Sequence, residues 1–137
     1  MCLILDANKF SDYVNPDDID MEPVRRWLKS SGKIAYSPTD KLKQELDRHD
    51  KIRQQFDQYR QNGRLRQYPA QEVEVIKTTL PRLRSDDPDI IALAFVAGVK
   101  LLVSGDTDLH ADFKSVVGGS VYQTRNHRGL LRPDTCP

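Results

Sequence analysis

Long apolar runs are missing from this sequence: no stretch approaches the ~20 residues that a membrane-spanning helix needs. Cysteine is scarce. Cys2 and Cys136 are too few for a disulfide framework or a thiolate zinc site, so a reduced cytoplasm is the expected compartment. Histidine is rare, and His49, His110 and His127 are scattered. Net charge is also lacking: 21 Lys and Arg against 20 Asp and Glu leave +1, so bulk charge predicts no partner. The first residues, MCLILDAN, carry no basic stretch and meet an acid at Asp6, which does not read as a signal peptide. Repeats, low-complexity tracts and linkers are absent. So are the Walker A loop, GxSxG, HExxH and GxGxxG, which removes phosphate-loop, serine-hydrolase, zincin and dinucleotide-binding chemistry of those types.

What remains is a chain of 137 residues, 38% hydrophobic and 30% charged, which is enough for one domain with a real core. MCLILD is a short apolar run that suits a buried parallel strand. Pro23 with Val24, Trp27 and Leu28 predicts a helix to about Ser31, stopped by Gly32, before a second strand, KIAYS. Thr39 or Asp40 caps a long helix whose stripe is Leu42, Leu46, His49, Arg53, Phe56 and Tyr59, ending at Gly63. Residues 64–85 read as either helix or strand. Asp87-Pro88 is a strong helix start, and DIIALAFVA is apolar almost all round, so that helix is central and buried. KLLVS is a strand, GDTD a turn, LHADFKSV a short helix and SVYQT a last strand. Alternating strands and helices predict an α/β fold, a three-layer α/β/α sandwich with a central, mainly parallel sheet, over 1–125, with an irregular tail over 126–137.

Sites in such sheets lie beyond the carboxyl ends of the strands. Asp6 closes the first strand, Asp106 follows KLLVS, and Asp87 opens the buried helix, so the three can share one sheet edge. Glu45 is a fourth candidate: counted from Leu42, it falls at about −60° on the helix, inside the apolar stripe, where a carboxylate must find a partner. Oxygen ligands without Cys or clustered His select Mg²⁺ or Mn²⁺. Charge is also segregated along the chain. Asp6, Asp12, Asp17, Asp18, Asp20 and Glu22 dominate the start, whereas Arg60, Arg64, Arg66, Lys77, Arg82 and Arg84 form a basic stretch, with Arg125, Arg128 and Arg132 in the tail.

LILDAN, Glu45 and SDDPDIIALAFVAGVKLLVSGDTDL together resemble the PIN-domain family of metal-dependent nucleases, in order and spacing from Met1 to about Tyr122. The resemblance implies the three-layer fold and Mg²⁺- or Mn²⁺-dependent cleavage of RNA, or in some branches DNA. It assigns Asp6, Glu45, Asp87 and Asp106 as catalytic and metal-holding acids, with Asn8, Ser104 and Asp108 in support, and keeps Asp86 and Asp89 as alternatives to Asp87. Ala7 departs from the Ser or Thr common in the family, and the SPTD stretch before Glu45 is longer than usual. Many small members are toxins whose antitoxin inserts into the groove, and many are homodimers, so an RNA substrate, an antitoxin protein and a second copy are the implied partners.

The expected function is therefore a metal-dependent endoribonuclease, either free-standing or the toxin of a toxin–antitoxin pair. Two other readings stand beside it. One is a nucleic-acid-binding or assembly module of the same fold with weak or no catalysis. The other is a phosphohydrolase with Asp6 as nucleophile, since LDAN also resembles the start of haloacid dehalogenase-type enzymes, although Asn8 stands where those carry a second Asp.

Overall fold

Strand alternation decides which side of the sheet each residue serves. A computed structural model describes residues 2–132; Cys136 and the rest of the tail after Arg132 lie outside the described residues. The strands are β1 (Cys2–Leu5), β2 (Lys33–Tyr36), β3 (Leu65–Gln67), β4 (Leu101–Val103) and β5 (Ser120–Tyr122). All pair in parallel, in the order β3-β2-β1-β4-β5. On one face Leu3, Leu5, Ile34, Tyr36, Leu101 and Val103 pack under α1 (Phe10–Val14), α2 (Glu22–Ser30), α3 (Asp40–Asp47) and α4 (Asp50–Gln61). On the other, Cys2, Ile4, Ala35, Leu102 and Val121 pack under α5 (Ala70–Lys77), α6 (Pro88–Ala97) and α7 (Thr107–Asp112). The result is the expected three-layer α/β/α sandwich. Both faces of β1 are covered, which is why its sequence is an unbroken apolar run.

The chain leaves β1 toward β2 and β3, then returns across the sheet to β4 and β5. Strand order therefore reverses between β1 and β4, and the crevice at their carboxyl ends is the place where such sheets take ligands.

Three local expectations differ from the structure. The long helix from Thr39 to Gly63 is two helices, α3 and α4, with His49 extended between them (φ −130°, ψ 91°). The ring of Phe10, from α1, meets His49 edge-on at 6.0 Å in the gap. No Gly or Pro marks this break, so the apolar stripe reads straight through it. Residues 64–85 contain both a strand and a helix. β3 is a three-residue sheet edge in which Leu65 alone is buried, while Leu80 and Leu83 pack on the second core from beyond the end of α5. The chain beyond Asn126 is not irregular throughout. Arg125–Leu130 forms a 3₁₀ helix capped by Thr124, and Leu130 and Leu131 pack against the first core.

Trp27 on α2 shows how the last described residues are fastened: its Nε1 donates to the Arg132 carbonyl at 2.8 Å. Gly32 lets the chain pass this ring, since a Cβ there would stand 2.1 Å from Trp27 Cε3. Gly32→Ala is expected to destabilise the fold by about 2 kcal/mol through overpacking, read as a lower urea midpoint at unchanged slope.

Candidate metal centre

The ladder between β1 and β4 extends one residue past the strands, with the Asp6 amide donating to Val103 O at 2.9 Å. This fixes the backbone of Asp6, and the residue is only 4% exposed. Ser104, directly after β4, donates its hydroxyl to Asp6 Oδ2 at 2.7 Å and accepts the Asp106 amide at 3.0 Å. Asn8 laces the same two loops together: its Oδ1 accepts the Gly105 amide at 3.1 Å and its Nδ2 donates to Ser104 Oγ at 3.4 Å. The two polar residues named with Asp6 from the sequence thus stand beside it.

Sequence reasoning missed the support beneath them. His110 is buried on α7, and its Nε2 lies 2.6 Å from the Ser104 carbonyl. A carbonyl only accepts, so that nitrogen carries the proton, and Nδ1 accepts from Gln123 Nε2 at 3.2 Å. The three histidines look scattered in sequence. One turn of helix from the capping Asp106 nevertheless carries His110 back under β4.

Asp87 occupies the N-cap of α6, with Pro88 in the first turn, but its side chain makes no capping bond. Instead Oδ1 takes the Lys41 ammonium at 2.9 Å, and Lys41 also donates to the Asp86 carbonyl. The expected capping role is therefore replaced by an ion pair with α3. Glu45 lies one turn beyond Lys41 on that helix. It borders a small apolar cavity of about 20 Å³ with Leu42, Phe56 and Ile90, and its Oε1 is buried without a hydrogen-bond partner. Its burial was anticipated, but the reason is different: the break at His49 invalidates the helical phase between Glu45 and Phe56, and the tertiary fold brings them together instead.

One carboxylate oxygen from each of Asp6, Glu45 and Asp87 lies within 4.8 Å of the others. Burial pushes the Asp6 carboxyl above its ordinary range; the Ser104 bond opposes this, and the charges of Asp87 and Asp106 add to it. Burial raises Glu45 too, followed by the charges of Asp6 and Asp87, with Lys41 opposing. The pocket is thus a concentration of negative charge with a single lysine against it. An oxygen-only donor set with one orphaned buried carboxylate oxygen fits a hard divalent cation such as Mg²⁺ or Mn²⁺.

The remaining predicted residues separate clearly. Asp106 stands apart from this trio. One of its carboxylate oxygens, Oδ1, caps α7, accepting from the Asp108 amide at 2.9 Å and the Leu109 amide at 3.3 Å, and its charge acts on Asp6. Asp108 and Asp86 are exposed. Asp89 is buried and paired with Lys77 at 3.2 Å, so Asp87 is the acid of this segment that joins Asp6 and Glu45. The basic stretch is partly spent internally: Lys77 pairs with Glu74 and Asp89, and Arg60 pairs with Asp57 at 2.8 Å. Among the described residues, no helix is long and apolar enough to cross a membrane. No family model matches the chain, and neither a curated protein nor a solved structure matches it.

Proposed function

We propose that this chain is a metal-dependent endoribonuclease of the PIN type, acting on RNA in the cytoplasm. The observation that carries the reading is the convergence of Asp6, Glu45 and Asp87 at the switch point of a parallel sheet. These residues come from positions far apart in the chain, and they match the acids of the resembling family. A Mg²⁺ or Mn²⁺ ion bound there would supply an activated water and a counter-charge for the phosphoryl oxygen. The protein's own part is positional. Ser104 holds the Asp6 carboxylate against the repulsion of its neighbours, and Asn8 in turn holds Ser104 and the Gly105 backbone. Glu45 Oε1, with no internal partner, is an acceptor available to orient the attacking water. Hydrolysis forms a bond from the water oxygen to phosphorus and breaks the bond from phosphorus to the 3′ oxygen, leaving a 5′-phosphate and a 3′-hydroxyl.

The test is incubation of the purified protein with end-labelled single-stranded RNA and its DNA counterpart, with Mn²⁺ and with EDTA. Mn²⁺-dependent cleavage of RNA that leaves 5′-phosphate ends is the expected result. A folded protein that binds Mn²⁺ and RNA yet cleaves neither nucleic acid would turn the assignment to a binding module.

A further inference from the structure

Lys41 is the one residue whose ammonium pairs with any of the three converging carboxylates among the described residues. It stands four residues before Glu45 on α3, so both side chains leave the same helix face. Its ammonium is 2.9 Å from Asp87 Oδ1, yet the Lys41 side chain is 39% exposed while that of Asp87 is 14% exposed. The lysine thus reaches in from solvent along a four-carbon stem to an acid that is mostly enclosed, and this contact can be released without unpacking the core. Asp89, the next acid along the same helix, is paired with Lys77 and acts on Lys41 through its charge rather than through an ion-pair contact.

We infer that Lys41 is a tethered counter-ion: it neutralises Asp87 while the pocket holds no metal, yields that place to a divalent cation, and then binds the phosphodiester of the substrate. The inference rests on the metal-site reading above. A divalent ion and an ammonium compete for the same oxygens, because each is repelled by the other at this range. Three carboxylates with one divalent ion still leave a negative pocket, and a phosphodiester brings another negative charge. The positive group already within reach of that pocket is Lys41, which has three donors and a flexible stem.

Removing its charge therefore has opposite effects on the two ligands. In Lys41→Met, Mn²⁺ binding measured by calorimetry without RNA is expected to tighten roughly tenfold. In the same variant KM for a single-stranded RNA oligonucleotide rises, and the slope of log(kcat/KM) against log[salt] becomes shallower by about one unit, the loss of one phosphate contact. Lys41→Arg keeps the charge and stays near wild type in both. A lysine that merely braced Asp87 would give weaker Mn²⁺ binding in Lys41→Met, with the salt slope unchanged, and that result overturns the inference. Should Lys41→Met fail to fold, Lys41→Gln carries the same comparison. Mn²⁺ binding in wild type with no gain in the variant defeats this inference alone, whereas no Mn²⁺ binding in either protein defeats the metal reading and this inference with it.

Discussion

Asp6→Asn is expected to abolish Mn²⁺ binding and to lower cleavage on the order of 10³-fold while leaving the fold intact. The amide keeps the shape of the side chain and still accepts the Ser104 hydroxyl through its oxygen, but it removes one charge from a pocket where charge is the problem. A stability effect of opposite sign accompanies the loss of activity. Asp6 and Glu45 both titrate above their ordinary values, from burial first and like charge second. Protons therefore favour the folded state at these two groups. The stability they allow is fully present below the ordinary carboxylate values and is lost as pH rises through the raised ones. In EDTA, Asp6→Asn should melt higher than wild type at pH 8, and the gap should narrow toward pH 5. Asp112 titrates in the opposite sense, but it is common to both proteins and drops out of the comparison. Wild-type-like, Mn²⁺-dependent cleavage by folded Asp6→Asn would count decisively against the site.

Asp112→Ala is expected to cost about 3 kcal/mol and to weaken Mn²⁺ binding from a residue outside the acid trio. Asp112 is buried at the end of α7. It accepts the amides of Arg84 and Ser85 at 3.0 and 2.8 Å and the Ser85 hydroxyl at 2.7 Å. Truncation leaves three donors without their acceptor, the Ser85 pair in buried surroundings, which is the expensive way to lose a hydrogen bond. It also frees the segment two residues ahead of Asp87. Burial alone would raise the Asp112 carboxyl; the donors from Arg84 and Ser85 outweigh it and hold the group below its ordinary range. Its contribution is present above the ordinary carboxylate value and is lost as pH falls through the depressed one, so wild type should lose stability in strong acid over a step that Asp112→Ala lacks. Urea titrations at neutral and acid pH measure both effects.

The layering was legible because it rests on strong local signals. The run at Cys2–Leu5, the Asp87-Pro88 start and the apolar α6 each have one structural solution. Asp6, Asp87, Ser104 and Asn8 could be placed from them, since strand ends and helix starts in a parallel sheet meet at one edge. β3 was not legible: a three-residue edge strand with one buried side chain carries too little alternation. The break at His49 was invisible because Leu42, Leu46, His49, Arg53, Phe56 and Tyr59 keep three- and four-residue steps in the sequence across it, whereas the backbone leaves the helix at His49, where the Phe10 ring packs. Lys41, His110 and Asp112 escaped notice for a different reason. Their partners (Asp87, Ser104 and Ser85, respectively) are matched through space, and no spacing rule pairs a lysine with an acid 46 positions away. Asp106 shows a double duty that its motif position alone does not reveal: its Oδ1 caps the start of α7, while its charge acts on Asp6.

Diffraction from crystals soaked in Mn²⁺, with anomalous differences collected at the manganese edge, tests the central claim most directly. The account predicts a peak bonded to oxygens of Asp6, Glu45 and Asp87, with the Lys41 ammonium withdrawn from Asp87. Asp6, Glu45 and Asp87 in their present places around an empty pocket, with manganese elsewhere or nowhere, would contradict it.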